Sequence, residues 1–468
     1  MITYNFENIK GPMYIYLYNC LKRDILSGVL KPDEKLPSKR TFAENNGIST
    51  ITIQNAYDQL ISEGYVYTKP KRGYYVANIE GMTKKVIAGS VHYDIKIPRK
   101  KEYRFDFTGN EIDQKNFPFS VWAKVSRETM SERKDELMKI PPVSGTYKLR
   151  EAIAKHLKSF RGMLVDPDQI VIGAGTEYLY GLITELLGSD KIYTIENPGY
   201  KKLVNIYRQR EISCTFASLD QSGVTVEELL RNGTEVAHIC PNHHFPTGIT
   251  MPANRRYELL SWANEKPGRY ILEDDYDSEF RMVGKPIPTL YSIDACEKVI
   301  YINTFSKSLT PTIRVSYMVL PIHLANEFYE RMFFYSCTVS NFEQYTLAEF
   351  IADGYFEKHI NRMRLYYNKK RKRLIDVIEN SSLANRCQII DSDAGLHFLV
   401  YVDTKLEDIQ VEELLEEKGI KIKAISDYYF TEQDKKQHYF ILNYSNLSET
   451  VLSKALELVE EIEGSLIV

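Results

Sequence analysis

Five short apolar runs recur beyond residue 160: QIVIG (169–173), KIYTIE (191–196), EVAHIC (235–240), YILED (270–274) and VIYIN (299–303). Helix-length segments separate them. Strands without polar alternation must be covered on both faces, and connections this long suit crossovers rather than hairpins. The fold class imposed from about residue 104 onward is therefore α/β, a largely parallel sheet with helices on both sides. In such sheets ligands gather beyond the carboxyl ends of the strands, so the residues following each run are the ones to inspect.

Those residues form a chemically consistent set. After QIVIG, the residues Gly173, Gly175 and Thr176 open a helix whose free amides and positive dipole end suit a phosphate. KIYTIE leads into NPGY, placing Tyr200 at the mouth of the sheet as a flat surface for stacking. YILE leads into DDYDSEF, so Asp274 ends a buried strand, where an unpaired carboxylate is costly and calls for a cationic partner. VIYIN leads into TFSKSL, which sets Lys307 between Ser306 and Ser308, and Arg314 opens the next strand-like run, RVSYMVL.

A lysine after a buried strand ordinarily just reaches solvent. Here one ligand satisfies all of these groups: an aromatic ring with a protonatable nitrogen, an aldehyde and a phosphate, that is, pyridoxal 5′-phosphate. Lys307 is the catalytic amine that bonds to the aldehyde as a Schiff base, and Asp274 pairs with the ring nitrogen. Arg314, Thr304, Ser306 and the amides at Gly175 and Thr176 hold the phosphate. Tyr276 reaches the ring hydroxyl, and Tyr200 stacks on the ring. A metal centre fits less well: His243 and His244 are adjacent, would point opposite ways in a strand, and belong to no carboxylate pattern.

The chain's 468 residues exceed what one core supports, so a second domain is expected. Over Tyr14–Leu26, apolar residues recur on one helix face and Gly28 follows as a stop. Ser38 caps a short second helix that closes near Gly47, and Ser49 caps a third that closes near Gly64. YVYTKPKRGYYVA then reads as two strands around a turn. Three helices and a basic-tipped hairpin over residues 10–78 describe a winged helix-turn-helix, an α+β DNA-binding module.

The formal net charge of −3 confines any nucleic-acid affinity to a local patch. Between residues 31 and 72 seven basic residues face five acidic ones, with Lys39 and Arg40 at the start of the second helix and Lys69, Lys71 and Arg72 at the hairpin. These cations, with Ser38, Ser49, Thr50 and Thr52 at the helix starts, suit contacts near phosphates, while Gln54 and Asn55 can reach base edges. Residues 79–103 have no sustained period and carry Lys84, Lys85, Lys96, Arg99, Lys100 and Lys101, a tether of cationic character. The α/β part then spans 104–468. Six scattered cysteines without CxxC spacing, and no apolar run of membrane-spanning length, suggest a cytoplasmic protein without a membrane segment.

LPSKR (36–40) and AYDQLISEGY (56–65) resemble the GntR family of bacterial winged-helix regulators; where that family often has an arginine after the recognition-helix cap, this chain has Thr50. GAGTEYL, ENPGY, HHFPTG, EDDYDSEF, TFSKSL and IRVSYMVLP are similar, in order and spacing, to the aspartate-aminotransferase fold, fold-type I of the pyridoxal phosphate enzymes, with its smaller C-terminal α+β lobe. The two together resemble the MocR subfamily of transcriptional regulators, including its GABA-responsive members.

That resemblance implies a homodimer that binds operator DNA and senses an amino acid, an amine or the cofactor itself, with a transaminase half-reaction as a chemical option. Ordinary aminotransferases have asparagine before PTG; this chain has Phe245, as the regulators do. Relatives that grip a carboxylate with arginines carry one where this chain has Lys202, a candidate effector contact, and another where it has Asp427, which would repel a carboxylate. Two other readings remain open on the same residues: an active aminotransferase with a vestigial N-terminal module, and a sensor that uses the pocket without a covalent bond.

Overall fold

The computed structural model describes residues 2–6, 11–79, 95–98, 101–109, 113–281, 287–390, 395–432 and 435–466. The chain divides into two compact units, Met1–Lys100 and Lys101–Val468. Much of the expected tether lies outside the described residues, including Lys84, Lys85, Arg99 and Lys100. Lys101 is no free tether cation, because it pairs with Glu416 at 2.6 Å inside the second unit.

In the first unit, helices Met13–Leu26, Lys39–Asn46 and Thr50–Ser62 precede an antiparallel pair, Val66–Lys69 with Gly73–Val76. Both expected caps form: the Ser38 hydroxyl accepts from the Thr41 amide at 3.2 Å, and the Ser49 hydroxyl from the Thr52 amide at 3.1 Å. Leu17, Leu21, Phe42, Ile53, Tyr57, Leu60, Val66 and Val76 close one core, so the helix periodicity and the hairpin bury a common apolar face.

The second unit is built on an eight-stranded sheet. Its spatial order is Ile170–Gly173, Ser316–Val319, Val299–Thr304, Tyr270–Asp274, Val236–Ile239, Tyr193–Asn197, Cys214–Asp220 and Gly223–Val224. Five central strands, from Val299–Thr304 to Cys214–Asp220, run parallel, whereas Ser316–Val319 is antiparallel to both neighbours. All five apolar runs and RVSYMVL form strands; Cys214–Asp220 and the short edge beyond it carry no comparable run.

Side chains alternate across this sheet as pleating requires. Ile300 and Ile302 join the cluster under helices Thr176–Leu187, Lys201–Gln209 and Ile322–Met332, while Tyr301 joins the cluster with Leu149, Ile153 and Leu347 on the other face. Each fully buried Ile or Leu is worth roughly 1.5–3 kcal/mol, so the double cover is the main source of stability.

A smaller lobe follows. Its antiparallel sheet runs Cys387–Ile390, His397–Val402, Tyr439–Asn443, Lys423–Ala424. The 25-residue helix Tyr355–Glu379 joins the lobes: Phe356 and Ile360 pack into the large lobe, Met363, Tyr367 and Leu374 into the small one.

Candidate functional site

The parallel strands end around one cavity of about 240 Å³, whose lining includes Thr176, Tyr180, Glu196, Tyr200, Lys202, His238, Phe245, Asp274, Tyr276, Thr304, Ser306, Lys307 and Arg314. The strand Val299–Thr304 supplies the amine. Thr304 caps the single turn Phe305–Ser308, its hydroxyl accepting from the Ser306 amide at 3.1 Å, and that turn carries Lys307 to the cavity wall. Burial pushes the Lys307 amine down from 10.5 to about 8, against the opposing charge of Asp277. A minority of the amine, far larger than for an ordinary lysine, is therefore neutral and nucleophilic near physiological pH.

Opposite it, Asp274 ends the strand Tyr270–Asp274. Its Oδ2 accepts from the Tyr180 hydroxyl at 2.5 Å and lies 3.5 Å from Nε2 of His238. Its Oδ1 is buried with no hydrogen-bond partner. The Tyr276 hydroxyl lies 3.2 Å from Nδ1 of His243, which in turn meets Asp277 at 2.9 Å.

The third wall is cationic. Gly175 caps the helix Thr176–Leu187 with φ 95° and ψ 159°, a backbone region open almost only to glycine. A Cβ at Gly175 would stand 2.8 Å from Cζ of Arg314 and closer still to Nη2, so the guanidinium lies against the bare turn. Arg314 itself has φ 51°, a strained backbone that the surrounding structure holds in place. It donates to the Ala174 carbonyl at 3.4 Å and lies 3.8 Å from Glu177. The Thr304 hydroxyl also links to Ser306 and Ser316, at 2.9 and 2.8 Å.

Tyr200 is 46% exposed at the mouth, edge-on to Phe245 with ring centroids 6.2 Å apart. Lys202 also lines the cavity, where it is engaged by Glu177. Asp427, read from sequence as facing a ligand, instead pairs with Lys423 at 2.7 Å and is not among the cavity-lining residues described. Its charge is spent within the small lobe.

These residues fit pyridoxal 5′-phosphate. The orphaned Oδ1 of Asp274 needs a donor, the bare turn at Gly175 leaves the Thr176 amide and a guanidinium for a phosphate while the Gly175 amide itself donates to the Gly173 carbonyl at 2.9 Å, and a partly neutral amine faces the same space. Sequence reading missed Tyr180, His238 and Glu196. Tyr180 lies one helical turn beyond Thr176, and His238 is a polar residue inside the apolar strand Val236–Ile239; both were signals. Glu196 is fully enclosed and burial pushes its carboxyl up to about 8, with the Cys240 amide donating to it at 2.8 Å.

In the first unit Lys39 links elements that carry the expected DNA contacts. Its amine donates to Oε1 of Gln54 and lies 5.9 Å over the Tyr74 ring, so the second helix, the third helix and the hairpin converge there. Gln54 Nε2 donates to both oxygens of Asp58, at 2.7 and 2.6 Å, so its amide is oriented inside the protein rather than open on all sides. Arg40, Ser38, Ser49, Thr50 and Asn55 are exposed, as are Lys71 and Arg72 at the hairpin turn; Thr52 is half-buried beside Ser49. Lys69 lies 4.6 Å over the Tyr75 ring.

Residues 14–76 match the family described as "Bacterial regulatory proteins, gntR family", and residues 105–459 match "Aminotransferase class I and II". An uncharacterized HTH-type transcriptional regulator of Bacillus subtilis, YdeL, is 34% identical over 419 residues, covering 89% of this chain and 90% of the relative. The probable rhizopine catabolism regulatory protein MocR of Rhizobium meliloti is 28% identical, with 95% and 92% covered. The kynurenine aminotransferase of Pyrococcus horikoshii superposes with a TM-score of 0.68 at 24% identity, over 79% of this chain and 92% of that one, which establishes the fold. The chain therefore belongs to the MocR-type branch of the GntR regulators, in which a winged helix-turn-helix precedes a class I and II aminotransferase domain.

Proposed function

We propose that this chain is a cytoplasmic, homodimeric transcriptional regulator that binds operator DNA through its first unit and holds pyridoxal 5′-phosphate in the cavity of its second. The observation carrying the reading is the convergence of Lys307, Asp274 and Arg314 on one cavity in a chain that also has a winged helix. When bound, the cofactor supplies an aldehyde reactive toward primary amines and an electron-withdrawing ring. Arg314, Thr304, Ser306 and the Thr176 amide would grip its phosphate, joined by the Gly175 amide once it leaves the Gly173 carbonyl; the Asp274 carboxylate would accept from the ring nitrogen, Tyr276 would reach the ring hydroxyl, and Tyr200 would cover the ring. Nζ of Lys307 would hold the aldehyde carbon covalently, with water as the leaving group, and as a free amine would accept a proton.

Lys202 reaches an effector carboxylate only by exchanging Glu177 for it, which favours ligands able to compete for that cation. The effector alters DNA affinity by as much as its own affinity differs between two arrangements of the protein, and no turnover is required. Homodimerisation is supported by exposed apolar side chains: Phe333 and Phe334 are 73% and 67% exposed, and Met138 and Ile140 are likewise open. Asn341 ties the second of these segments down by donating to the Glu136 and Lys139 carbonyls at 2.9 and 2.7 Å. Among the described residues no helix is long and apolar enough to cross a membrane.

The test pairs two measurements on the full chain. Borohydride reduction after loading with pyridoxal 5′-phosphate should add a pyridoxyl mass to the peptide containing Lys307. A screen of amino acids and amines should then reveal compounds that alter both the cofactor absorbance and binding to the DNA upstream of its own gene. Absence of the pyridoxyl mass overturns the cofactor assignment, and steady keto-acid release without DNA binding overturns the regulator.

A further inference from the structure

Behind Asp274 lies a buried polar chain that the cofactor contacts alone do not account for. Tyr207, fully buried on the helix Lys201–Gln209, places its hydroxyl 2.8 Å from Nδ1 of His238. The other ring nitrogen of His238, Nε2, stands 3.5 Å from Oδ2 of Asp274, the oxygen that already accepts from Tyr180. The His238 ring packs edge-on to Tyr180, with centroids 5.1 Å apart and planes at 70°. All three side chains are at most 3% exposed.

Such a cluster is expensive to bury. An apolar strand has no need of a histidine at its centre, and a buried polar atom without a partner costs roughly 1–3 kcal/mol. Two such atoms occur here among the described residues, Nε2 of His238 and Oδ1 of Asp274. Burial keeps Tyr207 a protonated phenol, and Nδ1 of His238 is the acceptor within reach of its hydroxyl among the described residues, so the hydroxyl is assigned as the donor of the pair. Donation to Nδ1 leaves the imidazole proton on Nε2, the nitrogen that stands 3.5 Å from Oδ2 of Asp274. Oδ2 then faces two protein donors and Oδ1 none.

We infer that His238, held by Tyr207, is a positioning residue that, with Tyr180, fixes the Asp274 carboxylate through Oδ2 and reserves Oδ1 for the protonated ring nitrogen of the bound cofactor. The inference rests on the proposed function, because it assigns these residues a task only if pyridoxal 5′-phosphate occupies the cavity. It also explains why polar groups persist in the core under helix Lys201–Gln209: they hold one carboxylate in one orientation before the ligand arrives, so that orientation is not paid for on binding.

The experiment is a double-mutant cycle on the dissociation constant of pyridoxal 5′-phosphate, followed by protein fluorescence, with the full chain. Tyr207→Phe removes one hydroxyl without changing shape, and His238→Gln is the second probe. Each should weaken binding about tenfold when Asp274 is present and have no effect on an Asp274→Ala background. Equal weakening on both backgrounds means that the residues merely support the fold, and overturns the inference. Unchanged affinity of both variants, with pyridoxyl still trapped on the wild type, overturns it while leaving the cofactor assignment intact. A wild type that takes up no cofactor overturns both.

Discussion

Gly175→Ala tests whether the bare turn and Arg314 act as one anion cradle. Its backbone angles lie in the glycine-only region, where another residue costs about 1–3 kcal/mol. The added methyl would also meet the Arg314 guanidinium, 2.8 Å from Cζ. That guanidinium ends a flexible side chain and swings away at little cost to the fold, but it leaves the phosphate position. Losing one charge-assisted contact costs roughly 1.5–3 kcal/mol, so affinity for pyridoxal 5′-phosphate should fall about 10- to 150-fold. Thermal melting of the cofactor-free protein reads the first effect, expected as a drop of a few degrees, and fluorescence titration reads the second. On an Arg314→Ala background the methyl should cause no further loss of affinity. A variant that melts early yet binds the cofactor as tightly as the wild type would show that Arg314 does not hold the phosphate.

Three further outcomes are expected. Since burial sets Lys307 at about 8 while the unfolded lysine titrates near 10.5, the unfolded chain binds the extra proton between these values, so wild-type stability rises with pH across that window. Lys307→Met should accordingly stabilise the cofactor-free protein by up to about 3 kcal/mol below pH 8, with the gain vanishing toward pH 10.5 in urea titrations; the rate of cofactor attachment to the wild type should rise with a midpoint near pH 8. Gly395→Ala should destabilise the second unit by more than about 2 kcal/mol, because φ is 78° and the Cβ would stand 2.6 Å from Nε2 of the buried His243, closer still to Cε1; differential scanning calorimetry measures it. Ser49→Ala removes the bond to the Thr52 amide, should cost the recognition helix about 1 kcal/mol, and should weaken DNA binding in fluorescence anisotropy with cofactor affinity unchanged.

The parts legible in the sequence are those fixed by local rules. The buried runs predict the strands because continuous apolar stretches have no other stable home, and Asp274, Thr304 and Lys307 stand out because they sit where such strands must end. Ser38 and Ser49 are legible because capping is a matter of spacing within four residues. What escaped depends on contacts that spacing does not encode. Tyr180 and Tyr207 look like core aromatics on amphipathic helices, and only the fold aims their hydroxyls at Asp274 and His238. The partnership of Lys202 with Glu177 joins two helices across the strand Tyr193–Asn197, and that of Asp427 with Lys423, though only four residues apart, depends on the bend between a short strand and a single 3-10 turn of the small lobe.

These unread contacts share one physical property: each supplies a partner to a polar group that sequence alone would leave open. A lysine at the mouth of the cavity reads as an effector anchor until its carboxylate partner is located, and a glutamine on a recognition helix reads as a free base reader until Asp58 is seen to hold its amide. Both ligand-facing units therefore offer polar groups already engaged within the protein. An effector or a base pair must better the internal partner to displace it, and that threshold lets either surface discriminate among ligands of similar shape.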